Sequence, residues 1–216
     1  GRAACESART EVIRMAQRVI LVHGLWMRAP VLAYWARGLK NAGFEPVFFS
    51  YRSLLQSPET AMRELRDLVM RHPDSHVLAH SLGGLIAIKA LTDCPAFTGR
   101  IVCVGSPLAG SQVVRHYAGT AFGRLAGSSA GLLCTGLDRI PEGLSVSVIA
   151  GTEPLGLGRV FHRFQESNDG TVALSETEIP GLHRHVSVSA SHSGQLLSKA
   201  VLEAAIALLS DTPESD

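Results

Sequence analysis

The sequence lacks the marks of a nucleic-acid-binding, membrane-spanning or unfolded protein. Twenty Lys and Arg against nineteen Asp and Glu leave a net charge of +1, so no basic surface for nucleic acid is expected. The longest apolar runs, such as Val19–Val22 and Val201–Leu209, are far below the roughly 20 residues that span a bilayer. With 46% hydrophobic and 18% charged residues in 216, the composition predicts one globular domain.

Cysteine is scarce and scattered. The four cysteines, Cys5, Cys94, Cys103 and Cys134, form no C-x-x-C pair, which argues against a structural zinc site or a disulfide framework. We expect free thiols, no metal and no organic cofactor. Cys103 lies in the apolar run Ile101–Val104 and is interpreted as a small buried hydrophobic residue.

The amino-terminal segment has no secretory signal pattern. Residues 1–14 mix charges of both signs and lack an apolar central region. They predict either a tail ahead of a start near Met15 or an amino-terminal helix, and both interpretations stay open. A cytoplasmic protein is expected, although a mature exported chain would also lack its signal. Residues 211–216 are expected to be a carboxyl-terminal tail.

Short apolar runs alternate with helical patterns along residues 15–210. Such alternation predicts a single α/β domain with a mostly parallel central sheet and helices on both faces. The expected strands are Val19–Val22, Pro46–Ser50, His76–Ala79, Arg100–Val104, Ser145–Ala150 and Val186–Val188; the expected helices are Val31–Ala42, Glu59–Arg71, Leu82–Leu91 and Gly194–Leu209.

The periodic pattern weakens between Leu108 and Leu144. Small and apolar residues there are interrupted by Gly119, Gly123, Gly127, Gly131 and Gly136, leaving only weak, short helices. This segment is either a lid or pocket-lining insertion, or a surface connection without a special role. No large cap domain is expected.

A sharp turn with a serine at its centre follows the third expected strand. Ala79-His80-Ser81-Leu82-Gly83 sits between an apolar strand and an apolar helix, the context of a nucleophile elbow. Small residues are needed at both flanks because larger side chains would collide with neighbouring backbone. The usual pattern is G-x-S-x-G, and Ala79 replaces its first glycine. Ser81 is therefore the candidate nucleophile.

At these residues the chain resembles the α/β-hydrolase superfamily, in particular small bacterial lipases and esterases. Four further segments are similar to family motifs. They are Val19-Ile-Leu-Val-His-Gly-Leu25 (oxyanion loop), Val104-Gly-Ser-Pro-Leu-Ala-Gly-Ser111, Asn168-Asp-Gly-Thr-Val172 (acid turn) and Ser191-His-Ser-Gly194 (histidine loop). The resemblance follows the family's order from about Val19 to Leu209, which is nearly the whole chain.

The resemblance implies a Ser-His-Asp triad. Ser81 needs a base to take its proton, and His192, after a strand and before the final helix, is the candidate. Asp169 occupies the family's acid position and would orient the imidazole. Glu153 directly follows the expected strand Ser145–Ala150, which also precedes Asp169, and is the rival acid.

The resemblance also assigns the oxyanion donors to the backbone N–H groups of Leu25 and Leu82. His23 is interpreted as shaping the oxyanion loop, whereas His80 either packs on the sheet or borders the pocket. An apolar acyl pocket is expected at the carboxyl ends of the strands. Its candidate lining residues are Trp26, Met27 and Leu108, with Leu155 and Leu157 nearby.

The resemblance implies a serine hydrolase that cleaves carboxylic esters, and the lipase-like segment Gly105-Ser-Pro-Leu-Ala-Gly-Ser111 implies, by analogy with the family, a lipid-like or other apolar acyl ester as the substrate class. A thioesterase or an amidase would use the same triad. A binding protein on a hydrolase fold is the alternative from another class. Acyl length, leaving group and oligomeric state are left open by the sequence.

Overall fold

Six strands form one parallel sheet at the centre of the protein. A computed structural model describes residues 16–117, 119–120, 123–155 and 164–211, so the predicted amino-terminal segment 1–14, and all of the predicted tail 211–216 except Asp211, lie outside the described residues. The strands are β1 (Arg18–Val22), β2 (Glu45–Phe49), β3 (His76–His80), β4 (Arg100–Val104), β5 (Ser145–Gly151) and β6 (Arg184–Val188). Neighbouring strands are parallel throughout, in the order β2-β1-β3-β4-β5-β6.

Helices cover both faces of the sheet, as predicted. The helices are α1 (Ala33–Asn41), α2 (Pro58–Met70), α3 (Leu82–Leu91), α4 (Gln112–His116), α5 (Ala130–Thr135) and α6 (Lys199–Ser210). Because successive side chains of a strand point to opposite faces, Ile20 and Val22 pack with α2 and α3, whereas Val19 and Leu21 pack with α1 and α6. Both faces are apolar, which accounts for the continuous hydrophobic strands.

The closing helix begins later than predicted. Gly194–Leu196 forms a separate 3-10 turn, and α6 starts at Lys199. Ser198 caps α6, because its Oγ accepts a hydrogen bond from the Val201 N–H at 3.4 Å. The break keeps Gln195 out of the helix and leaves its side chain fully buried.

The segment between Leu108 and Leu144 packs against the domain through α4, a 3-10 stretch (Gly123–Ser129) and α5. The Ser111 N–H donates to the Leu133 carbonyl and the Leu137 N–H to the Leu108 carbonyl, each at 2.7 Å. Leu133 and Ile140 are buried. These contacts attach the segment to the core on the helix α3 side of the sheet.

Cys94, Cys103 and Cys134 are free thiols, as predicted, and Cys5 lies outside the described residues. Cys103 has no exposed surface and belongs to the core, and burial raises the pKa of its thiol to about 12. Among the described helices, none has the length and hydropathy needed to cross a bilayer.

Candidate active site

Ser81 occupies a strained turn between β3 and α3. Its backbone has φ 54° and ψ −123°, a conformation that non-glycine residues rarely adopt and that costs on the order of 1–3 kcal/mol. The Ser81 N–H donates to the Val104 carbonyl at 2.9 Å, which fixes the turn to the neighbouring strand. This geometry matches the elbow predicted from the sequence.

A larger side chain would not fit at the small residues around the turn. A Cβ at Gly83 would lie 2.8 Å from the carbonyl oxygens of both Val22 and His23, as predicted for this position. A Cβ at Gly24 would lie 3.0 Å from Cβ of Ser81. Ala79 is itself fully buried. Strand β1 and its following loop therefore approach the elbow at backbone contact distance.

The structure brings together three side chains from a stretch of sequence in which the first and last, Ser81 and His192, are 111 residues apart. His192 Nε2 lies 3.1 Å from Ser81 Oγ, and His192 Nδ1 lies 2.7 Å from Asp169 Oδ2. The His192 N–H also donates to the Asp169 carbonyl at 2.8 Å. This serine–imidazole–carboxylate chain can move a proton from the hydroxyl to Nε2 while the carboxylate holds Nδ1.

The Asp169 carboxylate is almost fully buried and fully hydrogen-bonded. Its Oδ1 accepts from the backbone N–H groups of Thr171 and Val172, at 2.9 and 2.7 Å. Gln195 Nε2 donates to Oδ2 at 2.8 Å. Burial alone would raise the pKa of Asp169, but the neighbouring His192 and the backbone donors outweigh it and lower that pKa.

Glu153, the rival acid, lies elsewhere. Its carboxylate accepts a hydrogen bond from Ser189 Oγ at 2.7 Å, whereas the His192 imidazole faces Asp169. Of the two candidate acids, the structure therefore places Asp169 beside His192.

Two backbone N–H groups beside the elbow are available to a ligand. Leu82 is the first residue of α3, so its N–H has no partner within the helix. In the described part of the chain, neither the Leu82 N–H nor the Leu25 N–H has an acceptor. Such free donors at a helix start can stabilise a developing negative charge.

His23 shapes the loop that carries Leu25. Its ring stacks on Tyr51 with centroids 4.5 Å apart, and its Nδ1 lies 2.9 Å from the Gly24 carbonyl. The Tyr51 hydroxyl donates to the His23 carbonyl at 2.9 Å. Burial lowers the pKa of His23, so a neutral imidazole holds the loop, in agreement with the sequence interpretation.

His80, whose place the sequence left undecided, lies beneath His192. It is fully buried, and its Nε2 donates to the His192 carbonyl at 3.1 Å. The two ring centroids are 4.8 Å apart. Burial, followed by the nearby His192, lowers the pKa of His80 to about 3, so its ring is neutral at physiological pH. His80 thus holds the histidine loop in place through its hydrogen bond to the His192 carbonyl.

A groove of about 600 Å³ lies beside the oxyanion loop, and Trp26 and Met27 both line it. Leu108 does not: it is fully buried in the core, so its assignment to the pocket was wrong. Leu155 is exposed and is not among the described residues that line the groove, and Leu157 lies outside the described residues. The other lining residues are Arg28, Ser50, Tyr51, Arg52, Ser53, Leu54, Leu55 and Gln56.

Gln195 and His80 are the two site residues whose contacts sequence reasoning missed. His80 adjoins the nucleophile, so its position was a signal for a role near the site. For Gln195 the only signal was its place three residues after His192.

The all-parallel sheet, the helices on both faces and a serine elbow after β3 define the α/β-hydrolase fold. Solved structures match it at low identity. The mature form of the Bacillus licheniformis lipase BlEst2 is 18% identical, with a TM-score of 0.75 over 91% of this chain and 93% of that one. A hydrolase from Pseudomonas aeruginosa is 15% identical, with a TM-score of 0.61 over 91% of each chain.

The propeptide form of BlEst2 matches over 94% of this chain at 18% identity and a TM-score of 0.77. This chain spans about half of that longer form, 52% of its length. No protein-family model and no curated protein sequence matches this chain. At these identities the likeness establishes the α/β-hydrolase fold.

Proposed function

We propose that the protein is a serine hydrolase that cleaves carboxylic esters through an acyl-enzyme. The observation that carries the proposal is the hydrogen-bonded chain from Ser81 Oγ through His192 to Asp169, with links of 3.1 and 2.7 Å. These distances lie within the reach that nucleophile and base need for proton transfer.

In the first half-reaction Ser81 Oγ attacks the acyl carbonyl as His192 Nε2 takes its proton. The carbonyl oxygen becomes negative and is stabilised by the N–H groups of Leu25 and Leu82. Asp169 stabilises the imidazolium, which then protonates the departing alcohol. In the second half-reaction His192 activates water, and the acid is released with Ser81 restored.

The groove beside the oxyanion loop supports an apolar acyl ester as substrate. Trp26, Leu54 and Leu55 line it and are 54%, 41% and 81% exposed, and apolar side chains exposed together in one groove can bind an apolar ligand. Polar residues, Arg28, Arg52 and Gln56 among them, line the same groove. The similar fold of BlEst2, described as a lipase, supports the same substrate class. The substrate is a small molecule or lipid ester held beside Leu25.

Hydrolysis of a p-nitrophenyl ester series of increasing acyl length tests the proposal. We expect turnover by the parent protein and loss of at least about 10³-fold in Ser81→Ala and His192→Ala, because both groups take part in one proton transfer. Ser175→Ala is the matched control, since its hydroxyl bonds Glu166 on the surface, and it should retain full activity.

The same series separates the alternatives. Faster turnover of a matched thioester or anilide would replace the ester assignment with a thioesterase or an amidase. Absence of turnover for every acyl derivative, in a folded protein, would contradict the hydrolase proposal and leave a binding protein on this fold.

A further inference from the structure

Gln195 is a polar side chain buried completely beside Asp169. Its exposed fraction is 0%, and its Nε2 donates to Asp169 Oδ2 at 2.8 Å. The same oxygen lies 2.7 Å from His192 Nδ1. One carboxylate oxygen therefore has two side-chain donors, while backbone N–H groups occupy the other oxygen.

The orientation of the Gln195 amide follows from its chemistry. Only its NH₂ group can donate to a carboxylate, so the nitrogen faces Asp169. The oxygen at the other end, Oε1, is buried and has no hydrogen-bond partner among the described residues. An unpaired buried carbonyl destabilises the fold, so fold stability alone does not account for this residue.

The ends of two strands leave space for this amide. A Cβ at Gly105, just beyond β4, would overlap Gln195 Oε1, and a Cβ at Gly151, the last residue of β5, would overlap Gln195 Nε2. The Gln195 backbone is fixed as well: its N–H donates to the Ser191 carbonyl at 2.9 Å, and its carbonyl accepts from Trp35 Nε1 at 3.3 Å.

We propose that Gln195 is a positioning residue for the triad, an inference that rests on the proposed function. By donating to Asp169 Oδ2, it stabilises the ionised carboxylate and prevents its rotation, so that the same oxygen keeps His192 aligned with Ser81. Among the described residues, His192 contacts Asp169, and His80 and Glu176 interact with it electrostatically.

Gln195→Met tests the inference, because methionine has similar length and volume but no donor. We expect kcat for an ester to fall by about tenfold with KM unchanged, since the imidazole loses orientation and substrate contacts are untouched. We also expect the pKa of Asp169, followed by its carboxyl ¹³C resonance against pH, to rise, because a donor to the charged form is lost.

Trp35→Phe is the matched control. It removes the hydrogen bond to the Gln195 backbone without changing the amide. It should lower the thermal midpoint while leaving the Asp169 titration unchanged. An unchanged Asp169 titration in Gln195→Met would overturn the inference.

Gln195→Glu covers the case in which the methionine variant does not fold. Its carboxyl group can donate to Asp169 only when protonated, so its kcat relative to the parent should fall as pH rises. A ratio independent of pH would overturn the inference.

Phosphonate labelling of Ser81 separates the two proposals. A shifted Asp169 titration in Gln195→Met, in a protein that is not labelled, supports the Gln195 role and contradicts the hydrolase proposal.

Discussion

Single residues in this site are held by the backbone more than by other side chains. Ser81 takes its strained φ of 54° from the turn, and the oxygen Oδ1 of Asp169 is held by two backbone N–H groups. His192 is linked to Asp169 through both its ring and its N–H. Such preorganisation lowers the reorganisation that proton transfer would otherwise need.

Replacing Asp169 by Asn tests the assignment of the acid. The NH₂ group of the new asparagine cannot accept a hydrogen bond from Nδ1–H of His192. It therefore favours the tautomer with the proton on Nε2, which cannot take the proton of Ser81, so we expect kcat to fall by about 10³- to 10⁴-fold with a similar KM. Glu153→Gln is the matched control and should change kcat less than about twofold, because Glu153 contacts Ser189. Steady-state ester hydrolysis measures both; a larger loss in Glu153→Gln would reverse the assignment.

The proximity of Ser81, Asp169 and His192 was implied by the resemblance to the α/β-hydrolases, and it fits the topology, because loops that follow parallel strands meet at the same edge of the sheet. The sequence could not exclude Leu108 from the pocket. A tight turn, with the Leu108 N–H donating to the Ser106 carbonyl at 2.9 Å, directs this residue into the core. Gln195 stayed undetected because a polar residue in a predicted amphipathic helix is usually solvated.

At the scale of elements, Glu176 connects the acid turn to α4. Its carboxylate accepts from the N–H groups of Gln112 and Ala173, the latter at 2.7 Å, and its carbonyl accepts from Ala109 at 2.8 Å. The side chain is 2% exposed. One buried carboxylate therefore joins the segment after β4 to the loop that carries Asp169.

This connection predicts a pH dependence of stability. Burial raises the pKa of Glu176 from 4.5 to about 7, against the two backbone donors that lower it. Because the folded pKa exceeds the unfolded one, the stabilisation by protonation is complete below about pH 4.5 and is lost as pH rises through about 7. The free energy of unfolding should fall by on the order of 3 kcal/mol across that range from this group.

Glu176→Gln supplies the comparison, because glutamine keeps the size and does not titrate. Denaturant unfolding of both proteins at several pH values should show the parent losing stability relative to the variant as pH rises. Parallel curves for the two proteins would rule out titration of Glu176 in this range.

Helices and strands were predictable because both faces of a parallel sheet must be covered, which produces apolar strands between helical patterns. The separation of the closing helix into a 3-10 turn and α6 was not predictable. It depends on Ser198 capping α6 and on tertiary contacts of Gln195 with Asp169 and Trp35, which no local pattern contains.

At the scale of the whole molecule, the site depends on loops from distant parts of the chain. The oxyanion loop, the elbow, the acid turn and the histidine loop all lie at the carboxyl ends of parallel strands. Buried hydrogen bonds connect the elbow to the histidine loop, between His80 and His192, and the acid turn to the residue after that loop, between Asp169 and Gln195. The oxyanion loop is held to the loop after β2 by the hydrogen bond from Tyr51 to His23. Formation of the site therefore requires the complete sheet to fold, so we attribute the candidate activity to the domain as a unit.

Intact-mass analysis after reaction with a fluorophosphonate tests the central claim most directly, since the reagent needs an activated serine and no knowledge of the substrate. The account predicts one phosphonyl adduct per chain, located on Ser81, absent in Ser81→Ala and formed far more slowly in His192→Ala. A folded protein that forms no adduct, or forms it on another residue, would contradict the account.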